Sequence, residues 1–180
     1  LGMDNVGVFD RDHPLPTGGQ LAQVDGTAWM AALIFHLLQI TVELSHQEPG
    51  YLDMFGRWVW DAWLVANALE KGSGHVSFWN EQAGFYHDVI EMPDGSSRSL
   101  EVFSMQSIVP LFAGIAIPAA STEAVATIAR CMDELSRVYE HTESDVRIRM
   151  EGGDGSHLMV AVVDQHRLAA ILERLLDPAQ

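Results

Sequence analysis

Residues 27–71, TAWMAALIFHLLQITVELSHQEPGYLDMFGRWVWDAWLVANALEK, give the strongest indication of the fold class. The first part of this stretch predicts a helix that begins with Thr27 as the N-terminal cap and runs to about His46. Apolar residues cover nearly every face of this helix, so we expect it to be buried on all sides. The sequence Glu48-Pro49-Gly50 ends it.

A second helix is predicted from Tyr51 to about Lys71, and this one is amphipathic. A buried helix joined by a short turn to a half-exposed helix is the αα-hairpin unit of a helical barrel or solenoid. A four-helix bundle would rarely bury one helix so completely. The stretch therefore favours a mainly α fold built from such pairs.

The rest of the chain predicts a β-hairpin and then a similar alternation of helices. Residues 1–25 are expected to be irregular because they are rich in Pro and Gly. The later predicted elements are a strand at Phe85–Ile90, a turn at Pro93-Asp94-Gly95, a returning strand at Ser99–Phe103, an apolar helix at Ser107–Ile117, an amphipathic helix from Ser121 to about His141, a strand at His157–Val163, and a last helix capped by Asp164 and ending at Leu176.

Composition narrows the class of protein and of partner. A chain of 180 residues with 48% apolar residues can form one domain with a substantial core. A formal charge of −15, with no basic cluster, argues against nucleic acid as a partner and favours a neutral, polyhydroxylated ligand. Cys131 is the sole cysteine, so an intramolecular disulfide is impossible and a reducing compartment is the default.

No segment is predicted to cross a membrane, because the longest apolar stretch, Ala28–Leu38, is interrupted by His36. We therefore expect a cytoplasmic protein with no membrane partner. No cofactor is expected.

Several carboxylates near the start of the chain have a structural interpretation from the sequence alone. Asp4 is most simply interpreted as capping a turn with Asn5. Asp10 most simply forms a salt-bridged turn with its neighbours, and His13 beside it does not suggest a metal site, since ligands so close in sequence rarely surround one ion. Asp25 precedes the first predicted helix and is interpreted as its cap.

Two segments carry a resemblance to a known family. Gly2-Met3-Asp4-Asn5 and the run Trp79–Asp88, WNEQAGFYHD, resemble segments of glycoside hydrolases with an (α/α)6 barrel. The group around glycoside hydrolase family 63 and the mannosylglycerate and glucosylglycerate hydrolases is the most similar. The resemblance covers residues 1–117, thins across 118–156 and returns weakly at 158–178. It implies that residues 1–180 form part of an (α/α)6 catalytic domain with a small β-hairpin insertion.

The resemblance also implies roles for particular residues. Asp4 matches the general acid that protonates the leaving glycosidic oxygen. Asn5, Asp10, Asp25 and Trp29 would bind substrate, with the Trp29 ring packing against a sugar face. The family's general base comes from a later segment, and nothing in this chain matches it. Many members follow Asp-Asn with Ser-Pro-Arg, whereas this chain has Val-Gly-Val, which leaves the substrate preference open.

The sequence thus predicts a fragment of an inverting α-glycoside hydrolase that acts on small α-glucosides or related glycosides. The chain begins inside an apparent functional loop, so we expect it to be an excised piece of a longer protein. Helix faces meant for missing neighbours would then be exposed, and we expect self-association or docking with the remainder of the parent. The alternatives are a non-catalytic carbohydrate-binding module and a helical protein-interaction module.

Overall fold

The structure is a computed structural model that describes residues 13–72, 76–102, 104–138, 149–152 and 156–177. Helices hold most of the regular structure in these ranges, so the described part of the protein is mainly α. Its elements are, in chain order, β1 Gln20–Ala22, α1 Val24–Ser45, α2 Tyr51–Lys71, β2 Trp79–Asn80, β3 Phe85–Tyr86, β4 Asp88–Glu91, β5 Ser97–Leu100, a 3₁₀ helix Met105–Phe112, β6 Gly114–Pro118, α3 Thr122–Val138, β7 Arg149–Gly152, β8 His157–Ala161 and α4 Gln165–Leu176.

The chain divides into two compact units. Unit 1 contains the described residues of Leu1–Trp29, Ala68–Phe112 and Val163–Gln180. Unit 2 contains those of Met30–Asn67 and Ala113–Val162. Helices α1 and α2 each contribute to both units because a unit boundary falls within each of them.

Unit 1 contains an antiparallel sheet in the order β1-β4-β5 and a two-stranded hairpin of β2 and β3. The predicted hairpin is confirmed, with a turn that includes Gly95 at φ +81°. His87 interrupts the predicted strand over 85–90 and divides it into β3 and β4. Residues 1–25 were expected to be irregular, but Gln20–Ala22 forms β1 and pairs with β4.

Unit 2 contains a sheet in the order β6-β8-β7, and this sheet corrects the prediction of an apolar helix over Ser107–Ile117. The first part of that stretch is a 3₁₀ helix, and the second part is β6, antiparallel to β8. Ile115 and Ile117 are buried on one side of β6, while Ala116 between them is exposed. This alternation is that of a strand, and a short apolar run cannot be assigned to a helix or strand by periodicity alone.

Helix α2 matches its prediction over its whole length, and its buried side chains are Phe55, Val59, Ala62, Trp63, Ala66 and Leu69. Helix α3 packs against α2 at Gly56. Cys131 Sγ donates to the Gly56 carbonyl oxygen at 3.8 Å, and a Cβ built on Gly56 would lie 3.7 Å from Thr127. The prediction for α3 extends to about His141, and its last residues lie outside the described ranges.

The predicted strand near residue 157 and the last helix are also confirmed. Asp164 caps α4, and its Oδ1 accepts a hydrogen bond from the Arg167 backbone N–H at 2.8 Å. The helix ends at Leu176, as predicted.

Helix α1 differs from its prediction in two ways. It begins at Val24, three positions before the predicted cap Thr27. It is also not buried on all sides in this chain, because one face remains accessible to solvent. We call this the apolar face of α1 in unit 2, and its members are Met30, Leu33, Ile40 and Leu44, which are between 38% and 53% exposed.

By length and composition α1 could also cross a membrane, which the sequence interpretation did not anticipate. In this structure 44% of its most apolar window is buried. The core helix of a soluble protein meets the same criteria, so the absence of a membrane partner stays a prediction.

Candidate functional site

Three of the predicted site residues, Asp4, Asn5 and Asp10, lie outside the described residues. Their roles therefore stay predictions. The other two, Asp25 and Trp29, lie in the first turns of α1 within unit 1. The candidate site is accordingly built around the beginning of this helix.

The beginning of α1 is capped by a residue that is distant in sequence. Asp88 Oδ1 accepts a hydrogen bond from the Val24 backbone N–H at 2.9 Å. The first four N–H groups of a helix have no partner within it, and a carboxylate there also interacts favourably with the helix dipole. Asp88 thus takes the capping role that the sequence assigned to Thr27, across 64 positions of the chain.

Asp25 lies in the first turn of α1 and is only 2% exposed. It is therefore neither a surface turn residue nor the residue that precedes the helix. Its carboxylate and that of Asp88, which is fully buried, both lie in unit 1. Two buried carboxyl groups near one helix N-terminus give this part of the site a polar character.

Trp29 lies one turn further along α1 and is 45% exposed. Its ring centroid is 5.8 Å from that of Phe112, at an interplanar angle of 34°. Phe112 is 42% exposed, so the two rings form an aromatic surface open to solvent. Residues four apart lie on one face of a helix, which places Asp25 and Trp29 on adjacent turns of the same face.

The segment Trp79–Asp88 forms the β2–β3 hairpin and the first residue of β4. Asn80 Oδ1 accepts from the backbone N–H groups of Gln82 and Ala83, both at 3.0 Å, and Gly84 has φ +70°. An Asn side chain that bonds its own turn, followed by Gly in the left-handed region, explains the local shape. The segment thus has a structural role in unit 1.

A cluster that sequence reasoning missed holds this hairpin to α4. We call it the Arg167 cluster, and its members are Arg167, Glu70, Trp79 and Tyr86. The Arg167 guanidinium forms a two-bond ion pair with Glu70, in which Nη2 donates to Oε2 at 2.8 Å and Nη1 donates to Oε1. It also lies 5.1 Å from the centroid of the Trp79 ring.

The Arg167 cluster is electrostatically distinct because it is largely buried. Burial raises the pKa of Tyr86 to about 12, against the lowering effect of Arg167, whose Nη1 lies 3.4 Å from the phenol oxygen. Burial alone would lower the pKa of Arg167, but the hydrogen bond to Glu70 raises it on balance. At neutral pH Tyr86 is therefore protonated and Arg167 is charged. The geometry suits anchoring of α4 rather than proton transfer.

His87 is also fully buried in unit 1. Burial lowers its pKa, and the charge of Glu101 offsets only part of this effect. His87 is therefore neutral at pH 7.

Two further buried polar residues, Gln106 and Ser107, lie in the 3₁₀ helix. Among the residues that the structure describes, neither the side-chain amide of Gln106 nor the hydroxyl of Ser107 has a hydrogen-bond partner. Native proteins rarely bury such groups unpaired.

Within the part of the chain that the structure describes, no group of three His, Cys, Asp or Glu residues could hold a metal ion.

The sequence could have indicated some of these residues but not their partners. Asp88 and Arg167 are each conspicuous charges beside apolar runs. Glu70, however, lies 97 positions from Arg167, and a spacing of that size leaves no local pattern.

Comparison with curated proteins finds a relative of this chain. It is uncharacterized protein YMR196W of Saccharomyces cerevisiae, 31% identical over 193 aligned positions. The alignment covers all of this chain and 18% of the yeast protein, so the chain spans less than a fifth of that relative's length. No family model matches the chain, and no solved structure matches it.

Proposed function

We propose that this chain is part of the catalytic domain of an inverting α-glycoside hydrolase with an (α/α)6 barrel. Asp4 is the general acid, and the general base lies in a part of the parent polypeptide outside these residues. The substrates are small α-glucosides or related glycosides. The observation that carries the proposal is the half-exposed Trp29–Phe112 pair one helical turn from the buried Asp25.

This observation supports a sugar-binding surface on chemical grounds. Small-molecule sites combine apolar and aromatic walls with a few polar groups that fix the ligand's orientation. The Trp29 and Phe112 rings supply the wall, and Asn5 and Asp10 are the proposed polar groups, because Asp25 and Asp88 are buried and out of a ligand's reach.

The barrel part of the proposal is supported by the α1–α2 pair. A long apolar helix is followed after five residues by an amphipathic helix of similar length. The apolar face of α1 is what an inner barrel helix exposes when its neighbours are absent. The strand β6 replaces a third predicted helix, so α1–α2 and the Trp79–Asp88 segment carry the barrel proposal.

The chemistry requires two carboxyl groups. In an inverting glycosidase, one protonates the leaving oxygen while the other activates water about 6.5–9.5 Å away. The missing base is consistent with a chain that spans 18% of its yeast relative.

The decisive experiment uses the parent protein with Asp4→Asn. Hydrolysis of natural glycosides should fall by about 10²–10⁴-fold, the usual contribution of a general acid. A substrate with an activated leaving group needs little protonation, so its hydrolysis should be largely retained. Asp53→Asn, at an exposed position of α2, is the matched control and should leave both rates unchanged. Equal losses on both substrates would assign Asp4 a structural role and direct attention to Asp10 and Asp25.

The isolated chain provides an independent test. Without a second carboxylate to activate water, it should show no turnover of any α-glucoside or α-mannoside. Measurable turnover by the purified chain would overturn the assignment of the base to another part of the parent. Sugar binding by the parent without any hydrolysis would favour the carbohydrate-binding alternative.

A further inference from the structure

Unit 2 contains a groove of about 530 Å³ beside the apolar face of α1, with which it shares Ile40. One wall is α1, which contributes His36, Gln39, Ile40 and Glu43. Their spacing of three, four and seven places them on one helix face. The volume lies within the range of about 300–1,000 Å³ that is typical of small-molecule sites.

The opposite wall comes from the β6–β8 pair. Ala116 and Pro118 of β6 line the groove together with His157 of β8. His157 lies directly opposite Pro118 in the antiparallel register, so the sheet fixes its position. The groove thus has an apolar floor of small side chains, with polar groups from two elements of the same unit.

The two imidazoles are oriented so that one nitrogen of each is available. His36 Nδ1 lies 2.7 Å from the Ala32 carbonyl oxygen, which can only accept, so Nδ1 carries the proton. His157 Nδ1 lies 2.7 Å from the Ser156 hydroxyl. Neither Nε2, nor the Gln39 amide, has a hydrogen-bond partner within the described ranges. These groups can therefore bond to a ligand.

The charge of the lining limits the ligand class. Among the described residues that line the groove, Glu43 is the one carboxylate, and none is Lys or Arg. An anion would have no fixed cation to pair with and would face a like charge. A metal ion is excluded because no described group of three ligating side chains is close enough to hold one. Imidazole, amide and carboxylate groups are instead suitable partners for neutral hydroxyl groups.

We propose that this groove, between His36 of α1 and His157 of β8, binds a neutral saccharide. The hydroxyl groups of the sugar bond to His36, Gln39, Glu43 and His157, and its apolar face lies over Ile40 and Pro118. Binding here requires neither Asp4 nor a general base. The saccharide-binding proposal can therefore be tested independently of the proposed hydrolase activity.

The test is an NMR titration of the purified 180-residue chain, following the imidazole carbon-bound protons. The three probes share one ring and differ in charge: D-glucose is neutral, D-glucuronate is anionic and D-glucosamine is cationic. D-Glucose should shift the signals of His36 and His157 with a dissociation constant on the order of millimolar, since the groove has no aromatic wall. D-Glucuronate should bind about tenfold more weakly because of Glu43. Tighter binding of the anion than of D-glucose would overturn the proposal.

Variants locate the site. Ala116→Phe fills the groove from an exposed strand position and should abolish the shifts, and Gln39→Leu should weaken binding severalfold. His166→Ala, an exposed histidine of α4, is the control and should bind as the unmodified chain does. Shifts that persist in Ala116→Phe would place the sugar elsewhere. The absence of any shift at millimolar D-glucose would also overturn the proposal. Either failure would leave the Asp4→Asn experiment unaffected.

Discussion

The Arg167 cluster of unit 1 buries charged side chains, whereas the apolar face of α1 in unit 2 exposes apolar side chains to solvent. The Arg167 and Glu70 side chains are 15% and 27% exposed, and both find a charged partner there. Leu33 and Ile40 are each 53% exposed and make part of a continuous apolar surface. A buried charge is tolerated only when it is paired, whereas an exposed apolar face usually indicates a missing partner.

The two regions should therefore respond to different experiments. Disruption of the Arg167 cluster leaves a charge without its partner in a poorly hydrated place, so it should change the free energy of unfolding. Changes on the apolar face of α1 act on side chains that are already 38–53% exposed, so they remove less buried surface. They should change association instead.

The largest effect is expected for Arg167→Ala. It removes both hydrogen bonds to Glu70 and the contact with the Trp79 ring, and it should lower the free energy of unfolding by about 3 kcal/mol, as for other buried ion pairs that lose one member. Urea denaturation of the isolated chain measures this. Arg167→Lys keeps the charge but not the two-bond geometry, and it should recover only part of the loss.

Arg137→Ala is the matched control. Arg137 pairs with Asp133 at 2.7 Å, but both side chains are about 70% exposed. Its loss should cost less than about 0.5 kcal/mol, which is typical of an exposed pair four residues apart. Equal losses for Arg137→Ala and Arg167→Ala would show that burial of the Arg167 cluster has no energetic consequence.

Asp88→Ala should have the next largest effect. It removes the acceptor of the Val24 backbone N–H, and the loss of such a cap costs about 1–2 kcal/mol. Amide hydrogen exchange should accelerate in the first turn of α1 in particular. Asp53→Ala, in the first turn of α2 but exposed, serves for comparison and should stay within about 0.5 kcal/mol of the unmodified chain. Uniform acceleration of exchange in both units would argue against a local capping role.

The elements that could be predicted are those whose signals are local. Helix α2 has an amphipathic period, and α4 has both that period and its own cap, Asp164. The turn at Pro93-Asp94-Gly95 likewise specifies its hairpin from neighbouring residues. In each case the sequence within a few positions determines the structure.

The elements that could not be predicted depend on distant partners. The run containing Ile115 and Ile117 becomes a strand because β8 pairs with it some forty positions later. Helix α1 begins at Val24, before the predicted cap Thr27, because Asp88 at the start of β4 supplies the cap.

A smaller and pH-dependent effect is expected from His87. Its pKa is lower in the folded chain than in the unfolded chain, so the unfolded state binds the proton more readily. Its contribution to stability is present above the unfolded pKa of about 6.5 and is lost as the pH falls. The free energy of unfolding, measured at several pH values, should fall less steeply toward acid pH for His87→Gln than for the unmodified chain. The exposed His166→Gln should leave the slope unchanged. If the stability of both variants depends on pH with the same slope, a group other than His87 causes the loss of stability at acid pH.

The smallest effect on folding, and the most informative for the comparison, is expected on the apolar face of α1. Leu33→Gln with Ile40→Gln should change the free energy of unfolding by less than about 0.5 kcal/mol, because both side chains are already half in water. Light scattering should show that the unmodified chain self-associates despite its charge of −15 and that the double variant does so much less. Leu64→Gln, at a 48% exposed position of α2, controls for the loss of a single surface apolar group. An unmodified chain that stays monomeric at all concentrations would show that the apolar face of α1 does not require a partner surface. A double variant that unfolds readily would show that Leu33 and Ile40 support the core, and the contrast with the Arg167 cluster would then fail.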